Sequence, residues 1–468
     1  MNKAWHGLRK AAALPARACR PDEPRHHRSG AVPVMGAAAP AWPPANHRSI
    51  FWISVLALFT AALSNAVRAG AAGAIKTAVL DPIDAQRGGE MIGTVLGNSF
   101  LGFAISLLVI SPLLDRIGAK RVILFAAACF IAGPCLVLAA PGAGTSVYTV
   151  LNMAMIIWGF GWGATEATIN PLATTLYPDD KTGRLNVLHA WWPAGIVLGG
   201  VLSVLFFKQL ALQWELLVGL TIIPGVVLAF WTMRHTFPQT QSTAQGVLFG
   251  EMMAEPFRRP GFWVFFVIMF LTASAELAPG AWVDVTLTET VGFSGILVLV
   301  YVSAIMFVMR HFAGALDHRF SDMGLLWFST VPAALGLYLL STATSAATAL
   351  VAATFWAVGV CFMWPTMLAA VARRFPKSGP WGIGLVGFAG ALAIRFVLPQ
   401  LGTIYDQAKI AKAGGPEALA ALQPGSAGMQ AVLAHAAETS FQTVAIIPVV
   451  LCGLFGAVWF LERGKVTK

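Results

Sequence analysis

Five ionisable side chains, Arg68, Glu166, His189, Glu276 and Arg395, fall well inside long apolar runs of this 468-residue chain. A charged group near the centre of a membrane-crossing helix costs roughly 2.5–3.5 kcal/mol on insertion scales, so such residues face a polar cavity or a partner. Glu166 lies in the apolar stretch from Gly159 to Pro178 and is followed by Asn170 and Pro171. A carboxyl that meets each side of a membrane in turn can take up a proton on one side and release it on the other; His189 is the natural second member of such a titratable pair.

Depth follows from the helical rise. At 1.5 Å per residue Arg68 lies roughly 9 Å, and Glu276 and Arg395 roughly 5 Å, to the outer side of their helix centres, with Glu166 and His189 roughly 8–10 Å to the inner side. The spacing predicts an outer layer in which Glu276 pairs with Arg395 near Arg68, and an inner layer of Glu166 with His189. Arg68, Asn65, Asn170, Glu276 and Arg395 are the expected polar contacts for a solute. Two Arg and two Glu sum to zero, which suits a neutral polyol, whereas the outer layer alone, two Arg to one Glu, suits an anion; both readings stay open. Trp282 and Trp364 are the expected stacking surfaces for a sugar ring, while Trp191 and Trp192 read as anchors at the membrane interface.

The elements that must position these groups are membrane helices. Hydrophobic content of 57% and charged content of 11% exclude a soluble domain, where about 25% of residues are charged. About twelve apolar runs are long enough to cross a bilayer as α-helices, and none shows the alternation of barrel strands. The net charge of +10 is scattered over short loops, which argues against nucleic acid. About 24 of the 31 Lys and Arg fall on one side of a twelve-span topology and about 5 on the other, which predicts a multi-pass protein of the cell membrane with both termini cytoplasmic.

The expected divisions are a disordered tail (1–48), in which Met35 is an alternative start, a first six-helix half (49–233), a cytoplasmic linker (234–259), a second half (260–462) and a short tail (463–468). The loop from Asp406 to Ser440 is expected outside, with one short surface helix. Cysteine spacing resembles neither a zinc nor a redox motif, and the glycines of GFGWG, inside an apolar span, read as close helix packing rather than a nucleotide loop. No enzymatic motif, metal site or cofactor site is expected.

Two internal correspondences mark a repeat. Gly161 and Tyr177-Pro178 match Gly359 and Phe375-Pro376, and Leu114-Asp115 matches Leu316-Asp317. Trp364 then takes the repeat position of Glu166. Between the second and third spans the chain reads Ser111-Pro-Leu-Leu-Asp115-Arg116-Ile-Gly118-Ala-Lys120-Arg121, which resembles the signature of the major facilitator superfamily, with Ser111 where that motif begins with Gly. The resemblance implies an all-α membrane protein of twelve transmembrane helices in two six-helix halves, alternating access, and a monomer. It also implies that Asp115, Arg116, Gly118, Lys120 and Arg121 form a gating motif, with Gly118 making a tight turn and Asp115 accepting hydrogen bonds from a helix N-terminus.

A narrower resemblance rests on Gly163-Ala-Thr-Glu166, Asn170-Pro171, Leu185-Asn186, His189 and the segment from Glu276 to Trp282. These are similar to the fucose, galactose and glucose proton symporter branch, which carries a proton-coupling Glu in the fourth helix. The first helix departs from that branch's fucose permease, having Asn65 and Arg68 and no acid. The implied function is secondary active import of a sugar or polyol with a proton as coupling ion. The alternatives are a carrier of organic anions or drugs, and a sensor that transports nothing.

Overall fold

The computed structural model describes residues 46–84, 87–291, 295–423 and 425–466; within these, the side chains at 208, 278, 280–291, 295–296, 398 and 463–466 are outside the description. The N-terminal tail to residue 45, with Met35, and the side chain of Trp282 therefore lie outside the described residues.

The first six long helices are α1 (His47–Ile75), α2 (Gly88–Ile117), α3 (Ala119–Ala139), α4 (Val147–Leu176), α5 (Lys181–Val204) and α6 (Trp214–Met233), the last broken at Thr221. The second six are α7 (Gly261–Val291), α8 (Gly295–Arg310), α9 (Ala313–Ser341), α10 (Ala346–Arg374, broken at Cys361 and Phe362), α11 (Gly379–Ala413) and α12 (Ala427–Val466). Among the described residues nine stretches are long and apolar enough to cross a membrane; one of them, Ala119–Leu176, holds both α3 and α4, and α7 and the shorter α8 complete the twelve.

Packing repeats between the halves. α1 lies on α5 as α7 lies on α11, α3 on α4 as α9 on α10, and α3 on α6 as α9 on α12. The seam between halves is made by α5 against α8, α9 and α10, and by α2 and α4 against α11.

Two turns at corresponding places show why the sequence reading of α8 stops short. Gly118 turns the chain from α2 to α3 at φ +90°, a conformation that favours glycine. In the second half the equivalent reversal falls at Ser321, with φ +66° and ψ 166°. The chain is helical from 313 to 320, so α8 in effect continues about two turns beyond Arg310 before reversing. Arg310, which hydropathy puts near a span end, is thereby carried into the bundle.

The linker has its own structure, with helices Gln241–Ala244 and Phe249–Arg258, the second bent by 77° from the start of α7. At the opposite end, the expected loop from 406 to 440 is largely helical. α11 runs on to Ala413, a short helix spans Pro416–Ala421, and Tyr405 and Ala408 of α11 pack on Ala436 of α12.

Candidate functional site

Every residue of α4 from Gly161 to Leu176 is buried, so this helix runs through packed protein on all sides. Its glycines allow that. A Cβ at Gly159 would fall 2.1 Å from the carbonyl oxygen of Ser99, and one at Gly163 would fall 2.4 Å from that of Phe103, so α2 lies against α4 backbone to backbone. Ser106 adds a hydrogen bond to the Phe160 carbonyl at 2.9 Å.

Glu166, 6% exposed, sits in this helix. Asn170, one turn on, donates through Nδ2 to Glu166 Oε2 at 2.7 Å and to the Glu166 carbonyl at 2.9 Å. Its Oδ1 lies 2.8 Å from Nε2 of His189. A carbonyl can only accept, so Nδ2 is the atom facing Glu166. Oδ1 then faces His189, and the imidazole must carry its hydrogen on Nε2. His189 Nε2 is also 4.0 Å from Glu166 Oε2. The result is a short chain from imidazole N–H through amide to carboxylate, closed off from water.

Sequence reasoning missed the residue at the centre. Arg310, 2% exposed, donates from Nη2 to Glu276 Oε1 at 2.9 Å, from Nη1 to the His189 carbonyl at 2.7 Å and from Nε to the Cys361 carbonyl at 2.5 Å. Those two carbonyls are available for a reason. A helical proline has no N–H for the carbonyl four residues earlier, and Pro193 and Pro365 stand four after His189 and Cys361. Pro279 likewise frees the Ala275 carbonyl, which accepts from Trp356 Nε1 at 3.3 Å. Arg310 thus joins α5 of one half to α7 and α10 of the other.

The expected pairing of Glu276 with Arg395 is therefore wrong. Arg395 is exposed on α11, and the continuation of α8 brings Arg310 to Glu276 instead. The two predicted layers merge as well, since the arginine that holds Glu276 also holds the backbone of His189. Glu276 keeps its second oxygen, Oε2, without a well-formed hydrogen bond.

Arg68, 3% exposed, donates to Asn65 Oδ1 at 3.1 Å and lies over the Trp158 ring, 5.0 Å from its centre. Among the described residues no carboxylate comes within ion-pair distance of it. Trp158, Trp162 and Glu166 follow at four-residue intervals, so indoles line the helix between Arg68 and Glu166. The N–H groups of Trp158 and Trp191 are buried without a hydrogen-bond partner, and that of Trp162 is turned toward the Glu166 carboxyl. Trp191 and Trp192, expected at the membrane interface, are half-buried: Trp192 stacks on Trp162, with ring centres 5.0 Å apart, and Trp191 packs edge-on against the exposed Trp52 and against Phe307 of the other half. Trp364 is half-buried and packs on Gly390 of α11, where a Cβ would meet its ring at 2.2 Å.

The expected gating residues hold the linker. Asp115 accepts from the Thr240 hydroxyl at 2.8 Å and lies 3.4 Å from the Thr240 amide, just before the helix Gln241–Ala244. Arg116 lies 3.7 Å over the Phe249 ring and Lys120 donates to the Met233 carbonyl at 2.8 Å, whereas Arg121 reaches only the Ile117 carbonyl of its own turn. At this linker end the halves are in contact. Arg373 donates to Thr182 at 2.6 Å, Asn186 to Thr366 at 3.0 Å and Lys181 to the Ala372 carbonyl at 3.4 Å. Arg373 also pairs with Asp317, the repeat counterpart of Asp115, at 2.6 Å.

Among known proteins, the chain is similar to a D-xylose transporter of Levilactobacillus brevis, 28% identical over 140 residues, a match spanning 30% of this chain and 29% of that protein. Its fold is similar to that of the E. coli fucose:proton symporter, with TM-score 0.63, 16% identity and coverage of 87% of this chain and 99% of that one. The E. coli proton:xylose symporter gives 0.67, 15%, 87% and 94%. A human organic anion transporter gives 0.64, 14%, 87% and 99%. These likenesses concern the fold, and solutes of different charge are represented among them. Residues 54–399, from α1 through the linker into α11, match the Major Facilitator Superfamily model, and the chain belongs to that superfamily.

Proposed function

We propose that this protein is a proton-coupled carrier that imports a sugar or similar polyol, with Glu166 as the proton site and Asn170 and His189 as its hydrogen-bonding partners. One observation carries the reading. The buried chain Glu166–Asn170 ends on the imidazole of His189, and the backbone carbonyl of the same residue accepts from Arg310, which bonds both halves, so a proton arriving on Glu166 acts on a residue anchored at the moving interface. Fucose and xylose, the solutes named for similar proteins, support the sugar class. Trp162 stacks on both Phe103 and Trp192, and the half-buried Trp192 is the indole of this group with a flat apolar face of the kind that packs on a pyranose.

In this reading the linker end faces the cytoplasm with both termini, and the contacts of Lys181, Thr182 and Asn186 with α10 hold that side shut. The protein works as a monomer in the cell membrane, surrounded by lipid. Solute and proton enter from the far side; the halves rock about the Arg310 layer, and water reaching Glu166 from the linker side takes the proton away. With a neutral solute the proton's charge, moving through 100 mV, supplies about 2.3 kcal/mol, enough for roughly fifty-fold accumulation; with a solute of charge −1 the pH gradient alone is the drive. Uptake of labelled sugars into proteoliposomes, with and without an inward proton gradient, tests this. Glu166→Gln should keep solute exchange and lose gradient-driven accumulation; concentrative uptake undiminished in the variant would overturn the assignment.

A further inference from the structure

We infer that the transported solute is a monoanionic sugar acid, such as a hexuronate or an aldonate, whose carboxylate is held by Arg68. This rests on Glu166 as the proton site and narrows the solute class for that same site.

The first argument is charge balance. Among the described residues the buried charges of the central layers are Arg68, Arg310, Glu166 and Glu276, each no more than 8% exposed. With both carboxyls ionised they sum to zero. A proton on Glu166 leaves a sum of +1, and a neutral sugar does not change that. A solute of charge −1 restores zero, whereas a dianion overshoots. A carrier whose empty and fully loaded forms both have a neutral interior avoids carrying an uncompensated charge through low dielectric in either crossing.

Commitment of the two arginines supplies the second argument. Arg310 uses Nε, Nη1 and Nη2 on two carbonyls and a carboxylate. Arg68 makes one side-chain hydrogen bond, to the neutral amide of Asn65, and no described carboxylate is within ion-pair reach. A guanidinium has five N–H donors in a planar fork that fits a carboxylate two-pronged.

The third argument is spacing. Arg68 lies over Trp158, and Glu166 follows Trp158 by eight residues, about 12 Å of helical rise. Trp158 and Trp162 line that interval, the Trp158 N–H without a hydrogen-bond partner and the Trp162 N–H turned toward the Glu166 carboxyl. A sugar acid extended along it puts its carboxylate at Arg68, its ring beside the indoles and its far hydroxyls toward Glu166 and Asn170. One proton and one monoanion then cross together with no net charge moved.

The test uses the full chain in proteoliposomes, with glucose, glucuronate and gluconate as labelled probes and with pH gradient and potassium-diffusion potential set independently. We expect a pH gradient to accumulate glucuronate or gluconate at least tenfold over glucose. The rate should change less than twofold when an inside-negative potential is imposed. Arg68→Gln should lower sugar-acid uptake at least tenfold and Arg68→Lys should retain part of it, while quenching of tryptophan fluorescence by glucuronate in the detergent-purified protein reports binding without transport. Glucose accumulating in preference, at a rate raised by the potential, overturns the sugar-acid inference and leaves proton symport standing. No gradient-driven accumulation of any probe overturns symport and the inference together.

Discussion

Arg310 is the residue on which most of the buried polar arrangement depends, and its residue type alone did not reveal it. In the sequence it stands close to the end of an apolar run, where a cation usually reaches the membrane surface. The readable signal lay elsewhere, in Pro193 and Pro365, each of which leaves a carbonyl without its helical donor. Two such carbonyls and one carboxylate converge on a single guanidinium. Replacing one member of a buried ion pair strands the other, at a cost of about 3–5 kcal/mol. Arg310→Met should therefore lower thermal stability in detergent by about that amount. Arg310→Met combined with Glu276→Gln should recover a clear part of it, because the stranded carboxylate is gone. Equal melting temperatures for the single and double variants would show that the ion pair is not what Arg310 contributes. Glu166, Asn170 and His189 were legible because a carboxyl, an amide and an imidazole in apolar runs need partners; Arg395 misled because an exposed face of a helix cannot be told from a buried one by hydropathy alone.

At the level of elements, the helices were legible because apolar runs of this length admit one solution in a bilayer, whereas the turns were less so. Gly118 advertises its turn. Its counterpart in the second half is Ser321, whose φ of +66° and ψ of 166° fall in a region nearly restricted to glycine, so α8 looked shorter than it is. Backbone strain of this kind costs of order 1–3 kcal/mol. Ser321 offsets some of it by accepting from the Gly324 amide at 3.3 Å, a long bond. Ser321→Gly should raise thermal stability by about 1 kcal/mol, while Ser321→Ala, which keeps the strain and loses the bond, should lower it slightly. A fall in melting temperature for the glycine variant would mean that the hydroxyl outweighs the strain.

Across the whole molecule the two halves touch at the linker end, and the closest approach there explains a departure in the gating motif. The motif it resembles begins with glycine, but this chain has Ser111, whose hydroxyl donates to the Leu107 carbonyl at 2.6 Å. The room a glycine would give on α2 is supplied from the other half. A Cβ on Gly384 of α11 would lie 2.0 Å from the Ser111 hydroxyl and 2.3 Å from its Cβ, so the helices meet only because residue 384 has no side chain. Sequence comparison along one chain segment could not expose this, since the compensating glycine is far away in sequence. Gly384→Val should destabilise the closed linker end without touching the buried charges. Overpacking of this kind costs about 1–3 kcal/mol, and 2 kcal/mol displaces a closed–open equilibrium about thirtyfold. The reporter is Thr366→Cys in a background lacking all five native cysteines, Cys19, Cys129, Cys135, Cys361 and Cys452, because Thr366 is buried in the seam against Asn186. A membrane-impermeant maleimide applied from the linker side should label it at least tenfold faster in Gly384→Val than with Gly384 intact. Adding Ser111→Gly should bring the rate back, because the clash is with the serine side chain. Labelling that Gly384→Val leaves unchanged would mean that α2 and α11 do not hold this end shut, and that Asp115 with the linker or Arg373 with Thr182 does so instead.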